Sequence, residues 1–390
     1  MVVKEKRIGK LSQEEFIFYI VYGLWFLVYN LSLTYWRKLF PYKTAQEYMD
    51  IVVYLLLIYQ LFTVGKKSFN KWITTIGFLS ISFIAGYISN TDHLFAMAAL
   101  VGCASRIDYE KIFKEYILIS LSVFVITVVA SKIDFIENLT HAGDRTRFGL
   151  GYVYISYPAH IILFISLSYI AIRKKMHLIE TVILIYANYF VYTYSVTRTS
   201  FVVAVLFIGI AVFVSTSHSK SHIKKKNTFI AYLLSSIPFL VCCFSYVIYY
   251  LYNDNNAKWK ALDDALSGRM LLGHTGLMKY SLKLLGQVIN WVPYSKVTAT
   301  KEYFYIDNYY IQCGLVQGLI FLLIIIVGYS IIIYRNYIDR NYMIVIAVIG
   351  LIVYGFADYQ VIDMKYHPFY LLIGKLLCDC GERNNETSSI

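Results

Sequence analysis

The chain has 390 residues, 58% of them hydrophobic and only 15% charged. Soluble domains average roughly a quarter charged residues, so the composition excludes an ordinary soluble enzyme and points to an integral membrane protein. The net charge of +12 does not imply nucleic acid, because cytoplasmic loops of membrane proteins collect Lys and Arg and the soluble aromatic platform of nucleic-acid modules is missing.

A helix needs about 20 mostly apolar residues to cross the hydrocarbon core. That rule predicts twelve spans, at roughly 14–34, 48–65, 72–89, 93–106, 112–131, 152–172, 178–196, 199–216, 228–252, 308–334, 342–357 and 367–378. Backbone in lipid must satisfy its own hydrogen bonds, so the spans are read as helices. The expected fold class is an all-α integral membrane protein of about 12 transmembrane helices. It forms a single polytopic domain over residues 1–390 with one large extracytoplasmic loop, 253–307, between spans nine and ten. The first apolar run, Phe16–Leu33, is too long for a signal-peptide core and lacks a small-residue cleavage site, so no cleavable leader is expected.

Basic residues set the predicted orientation. With the N-terminus inside, the inner segments hold 21 of the 36 Lys and Arg, against 8 in the outer segments other than the long loop and 7 in that loop. Both termini are therefore expected in the cytoplasm and the loop outside. Cys103, Cys242, Cys243 and Cys313 lie in apolar spans and read as small hydrophobes. Cys378 and Cys380 lack the partners of a metal site, and the loop has no Cys at all.

The outer segments carry the candidate chemistry. Arg145 and Arg147 stand in Asp144-Arg-Thr-Arg147, Arg198 in the tight turn Ser195-Val-Thr-Arg-Thr-Ser200, and Arg269 after Ser267-Gly268. Positive residues tend to be depleted from short outer loops, and the Arg fork suits phosphate and pyrophosphate. The plain alternative is a lipid-headgroup anchor or a salt bridge to a nearby Asp. Asp307 and His274 are the candidate bases; the alternatives are a helix N-cap for Asp307 and simple solvation for His274. His141, Asp263, Asp264, Asp358 and Asp363 share that side. His160, beside Pro158 at the outer end of the sixth span, reads as a boundary residue. Asp263 and Asp264 are adjacent and point about 100° apart on a helix, and Asp254 is followed by Asn, so neither a metal nor another cofactor is expected. Within the loop, Trp259–Leu272 and Gly276–Val292 carry helical periodicity.

Several of these pieces together resemble the Wzy-type polymerases of bacterial surface polysaccharide, part of an O-antigen polymerase and O-antigen ligase-like superfamily. Arg147-Phe-Gly-Leu-Gly-Tyr152 followed by Tyr157-Pro-Ala-His160 is similar to that family's R-x-x-x-G-(F/Y)…P-N region, with Ala-His where Asn is usual. Tyr194-Ser-Val-Thr-Arg-Thr-Ser200 resembles its T-x-S-R-(T/G) turn, with Thr197 in place of Ser. Leu266-Ser-Gly-Arg269 resembles its L-(S/T)-G-R element, and Asp307-Asn-Tyr-Tyr-Ile-Gln-Cys-Gly-Leu-Val-Gln-Gly318 the start of the span after the large loop. The resemblance covers about Arg145–Gly318 together with the twelve-span layout.

The resemblance implies a glycosyltransferase that moves a growing glycan from undecaprenyl pyrophosphate to a hydroxyl of a new lipid-linked oligosaccharide repeat unit. The reaction would occur at the outer face of the cytoplasmic membrane, without a metal and with inversion. Arg145, Arg147, Arg198 and Arg269 would hold pyrophosphate, and Asp307 or His274 would serve as base. Aromatics of the loop (Trp259, Tyr280, Trp291, Tyr294, Tyr303, Tyr305) would stack on sugars. The implied partners are the lipid-linked oligosaccharide, the bilayer, a chain-length regulator and a flippase. An O-antigen-ligase-like transferase and a flippase or transporter are the competing expectations. Against the last, no half-repeat is visible and charges in mid-span are scarce.

Overall fold

Local sequence signals fix where the helices begin. Ser12 and Glu15 form a reciprocal capping box, Glu15 N donating to Ser12 Oγ at 3.2 Å and Ser12 N to Glu15 Oε2 at 3.0 Å, so the first helix starts at Gln13. Asp108 caps the fifth through the Glu110 amide at 2.9 Å. Pro158 sits in the first turn of the sixth, where its missing N–H does no harm. Pro238 opens a new helix inside the predicted ninth span and divides it.

The computed structural model describes residues 7–8, 11–63, 69–91, 93–142, 145–218, 227–292, 298 and 302–379. Among the described residues there are α1 (Gln13–Leu31), α2 (Tyr42–Thr63), α3 (Phe69–Ser89), α4 (Leu94–Cys103), α5 (Tyr109–Lys132), α6 (Tyr157–Ile172), α7 (Leu178–Ser195) and α8 (Arg198–His218). They continue with α9 (Thr228–Ser235), α10 (Ile237–Tyr250), α11 (Ala257–Ala265), α12 (Arg269–Lys279), α13 (Tyr309–Val316), α14 (Leu319–Ile338), α15 (Tyr342–Gly355) and α16 (Leu372–Asp379). Two short antiparallel hairpins, β1 (Arg7–Ile8) with β2 (Leu11–Ser12) and β3 (Thr140–His141) with β4 (Arg147–Phe148), complete the regular elements. Helix makes up 74% of the structure, so the chain is an all-α protein. Lys4, Lys6, Lys10, Lys66, Lys67, Asp144, Lys220, Lys224, Lys225, Lys226, Tyr294, Lys296, Lys301, Cys380 and Arg383 lie outside the described residues.

Each predicted apolar segment contains helix, and among the described residues five helical stretches are long and apolar enough to cross a membrane: Trp72–Ser89, Tyr109–Lys132, Arg198–Thr216, Thr228–Tyr250 and Leu319–Ile338. Tyr157–Ile172 and Tyr342–Gly355 are shorter and apolar. These two, α6 and α15, form the buried centre, packed on each other and on α5, α8 and α14. Around them, large apolar side chains point outward, among them Leu118, Ile179, Phe213, Phe229 and Leu240. Such an apolar belt suits a lipid environment and would be a liability in water.

Two predicted helices differ from what forms. The tenth span breaks between α13 and α14 at Gly318, and the predicted helix Gly276–Val292 stops at Lys279. Both differences have one cause. Residues 283–287 run beside the break as irregular backbone, where Lys283 O accepts from Leu319 N at 3.0 Å, Leu284 O from Ile320 N at 3.1 Å, and Val316 O from Gln287 N at 3.0 Å. Gly318 (φ +94) and Gly286 (φ +91) approach so closely that a Cβ on Gly318 would overlap the Gly286 backbone nitrogen. Periodicity in 280–292 is thus overridden by backbone pairing that satisfies the otherwise orphaned amides of α14. A small second core of Tyr249, Tyr252, Met270, Phe304, Ile306 and Leu315 ties the 253–307 insert to α10 and α13.

Candidate functional site

At the end of the bundle where α6 begins and α15 finishes, Arg269 and Asp307 meet. The predicted helix Trp259–Leu272 is broken at Ser267 (φ +61) and Gly268 (φ +79), which lets α12 start afresh at Arg269. Asp263 holds that start in place, accepting from the Met270 amide at 2.7 Å and the Leu271 amide at 3.1 Å. It thus serves as a cap for the start of α12. Asn308, the residue after Asp307, takes the N-cap of α13, its Oδ1 accepting from Ile311 N at 3.0 Å while its Nδ2 donates to Ser245 Oγ and Phe356 O. The cap role is therefore filled by Asn308, and the Asp307 carboxylate is left for Arg269. Arg269 Nε donates to Asp307 Oδ2 at 3.0 Å and Nη1 to Ala357 O at 2.8 Å.

A second carboxylate closes the site from the α15 side. Asp358 follows the carbonyl that Arg269 grips, is itself buried, and lies 3.6 Å from Nδ1 of the fully buried His160. The Tyr354 hydroxyl stands 2.7 Å from the same nitrogen and 2.9 Å from Ser200 Oγ. Ser200, Tyr354, His160 and Asp358 thus form a polar relay from α8 through α15 and α6 to the acid pair. His160 Nε2 is buried and meets no hydrogen-bond partner among the described residues, a costly state for an imidazole nitrogen in an apolar bundle.

The electrostatics follow from burial in the connections between helices. Burial pushes the Asp307 carboxyl above its ordinary range, and the Arg269 charge pulls it part of the way back. For Asp358 burial acts more strongly and the Asp307 charge adds to it, so its carboxyl rises well above the usual range despite Arg269. Burial alone would lower the Arg269 pKa, but the two carboxylates overcome it and hold the guanidinium firmly charged. One guanidinium faced by two acids of unequal acidity is an arrangement that can hold one carboxylate ionised and the other protonated. Two of the five guanidinium N–H groups are engaged by Asp307 and Ala357, which leaves donors for an external anion.

The other predicted site residues sit elsewhere. Arg145 and Arg147 are on or beside the β3–β4 hairpin, exposed, and their side chains make no hydrogen bond or ion pair with another described residue. Arg198 is exposed at the start of α8; a two-residue step turns about 200° around a helix, so with Ser200 facing the relay Arg198 faces away. His274 lies five residues after Arg269 on α12, its Nδ1 2.9 Å from Tyr249 O and its ring beside Tyr252. Loop aromatics pack mainly on one another, Trp291 on Phe304 and Tyr305, and Tyr305 on Tyr359.

The sequence gives His160 only as a boundary residue and Ser200 only as part of the Tyr194–Ser200 turn, and it does not mark Tyr354. His160 had a signal, an ionisable residue at the edge of an apolar run, whereas Tyr354 and Ser200 look like any polar residues of their spans. A second polar cluster at the same end was also missed. The Asp50 carboxylate accepts from Trp25 Nε1 at 2.9 Å and Tyr29 OH at 2.9 Å, with His93 Nδ1 2.7 Å away, and it joins α1, α2 and the start of α4. Among the described residues no group of His, Cys, Asp and Glu has the arrangement to hold a metal ion. No protein-family model, curated protein or solved structure matches this chain.

Proposed function

We propose that the protein is a polymerase of bacterial surface polysaccharide, a glycosyltransferase spanning the cytoplasmic membrane twelve times with both termini inside and the 253–307 insert outside. The observation that carries the reading is the Arg269–Asp307 pair at 3.0 Å, flanked by the buried Asp358 and set at the end of an apolar bundle. A donor linked through pyrophosphate already has a good leaving group, so the site has to neutralise charge more than it has to protonate. Preorganised Arg donors in a poorly solvated cleft do that well. In the reaction the acceptor hydroxyl oxygen attacks the anomeric carbon and its proton passes to the Asp307 carboxylate. The anomeric C–O bond to pyrophosphate breaks, and undecaprenyl pyrophosphate leaves with the electron pair, charge-balanced by Arg269. A single displacement inverts the anomeric centre. Arg145, Arg147 and Arg198 act from the rim, where exposed charges attract an anionic lipid over about 10 Å.

The decisive experiment is the glycan–lipid profile of a deletion strain complemented with variants. Single repeat units on lipid at the outer face, restored to polymer by the native chain and not by Arg269→Ala, support the polymerase. Long lipid-linked polymer left unattached would make the protein a ligase.

One observation favours transport as a second reading: the broken α13–α14 helix, whose unwound backbone lies within the bundle as in many transporters. Repeat units trapped inside the deletion strain would establish it.

A further inference from the structure

The opposite end of the bundle holds a cleft that the Arg269–Asp307 site does not use. From His160 at the site to Ile172 at the cleft, α6 runs roughly 18 Å along its axis. The cleft has a volume of about 270 Å³ and is walled by the start of α5, the end of α6, the end of α8 and the α14–α15 turn. Arg173, Lys174, Lys175 and Arg340 line it, against Glu110 in its wall and Glu180 paired with Arg173, an excess of two positive charges. Arg173 is steadied by its ion pair with Glu180 and by the Tyr169 ring 5.4 Å away, and its Nε is buried with no hydrogen-bond partner among the described residues.

The positive-inside tendency accounts for the sign of these charges. It does not account for ends of four helices distant in sequence closing around a cavity. Arg340 sits at φ +63 as the left-handed residue that closes the end of α14, with its N–H donating to Tyr337 O at 3.1 Å and Asn341 N to Asn336 O at 2.8 Å. Beside Arg173, Lys174 and Lys175, Arg340 adds to the positive lining of the cavity. The volume is near the lower end for ligand pockets, about 300 Å³; it admits a phosphate with a small polar substituent and no acyl chain. Asn341 makes no side-chain cap on α15, whose first residues, Tyr342, Met343 and Ile344, also line the cleft. Their amide end adds to the attraction for an anion.

We propose that this cleft binds a phosphate-bearing anion, with its sources the headgroup of an anionic phospholipid or a soluble phosphate ester. Basic pockets between helix ends at the membrane surface suit such headgroups, and the Arg forks suit phosphate oxygens.

The test uses the full chain in detergent micelles and reads its melting temperature, since a ligand that binds only the folded state raises it. Phosphatidylglycerol, phosphatidylcholine and glycerol 3-phosphate are added in turn, to the native chain and to the Lys174→Gln/Arg340→Asn variant. Both altered side chains are exposed, and Asn suits the left-handed backbone, so the unliganded variant should melt no lower than the native chain. The proposal expects phosphatidylglycerol to raise the native midpoint by several degrees, phosphatidylcholine to leave it unmoved, and the variant to lose at least half the shift. A shift with phosphatidylglycerol alone identifies a lipid headgroup; an equal shift with glycerol 3-phosphate identifies a soluble ester. The proposal is overturned if phosphatidylcholine gives the same shift, if no phosphate compound gives any, or if the variant keeps the full shift. Should the double variant fail to fold, Lys174→Gln alone carries the same comparison with a smaller expected loss.

Discussion

Replacing Asp307 by Asn tests the proposed chemistry with the least disturbance of structure. Asn has the shape of Asp and keeps an oxygen to accept from Arg269 Nε, now 3.0 Å from the carboxylate. What is lost is the charge on one hydrogen bond. The guanidinium donor keeps the bond charge-assisted, so what goes is the Coulomb attraction of a partly solvated ion pair, on the order of 1 kcal/mol. Burial, which already opposes the ionised Asp307, offsets part of that, because a neutral amide costs less to bury than a carboxylate. Stability should therefore fall by less than about 1 kcal/mol. The effect on reaction is of another size: a general base contributes about 10²–10⁴ in rate, and Asn cannot take the proton. Polymer formation from lipid-linked repeat units in membranes of a complemented deletion strain should drop by that factor, with binding of the lipid-linked donor retained. Turnover equal to the native chain would refute Asp307 as base and shift the role to His274 or to the His160–Asp358 relay.

Further expectations follow from the same geometry. Arg269→Ala removes the partner of Asp307 and the donor to Ala357 O; leaving a largely buried carboxylate unpaired should cost about 3 kcal/mol, visible as a lower melting temperature, and polymer should be absent. Arg198→Ala, at an outward-facing side chain, should leave more polymer than Arg269→Ala; equal loss would mean that the rim arginine contacts substrate. Turnover should fall as pH drops through the raised Asp307 pKa, because the base must be ionised, and a pH-independent rate would contradict this. Stability has the opposite sign. Carboxyls whose pKa is raised on folding, as for Asp307 and Asp358, stabilise fully below the ordinary value of about 3.9 and lose that contribution as pH rises through the raised values. Asp358→Asn should flatten that slope in melting curves. Gly318→Ala should unfold or strongly destabilise the chain, since φ +94 and the Gly286 backbone both exclude a Cβ; a melting temperature within a degree of native would undo the account of the α13–α14 break.

The amino-acid sequence by itself determined the membrane class, the helical segments and the location of the polar insert. These depend on composition and on runs of about 20 apolar residues, properties read along the chain without knowing what touches what. It also marked Arg269 and Asp307, since a cation and an acid in one polar insert stand out against apolar spans. Tertiary structure decided what they do. Whether Asp307 caps α13 or faces Arg269 turned on Asn308 taking the cap, a choice between adjacent residues that propensity cannot make. That 280–292 is not helical followed from the need of α14's first amides for partners, which outweighs helical periodicity. His160, Tyr354, Ser200 and Asp358 come from three helices and a connection, and only their packing gives one of them a role. Burial, the main cause of the raised Asp307 and Asp358 carboxyls, belongs to no single stretch of sequence. It arises when distant segments close over a group and exclude water, which is why the chemistry of this site was decided by the fold.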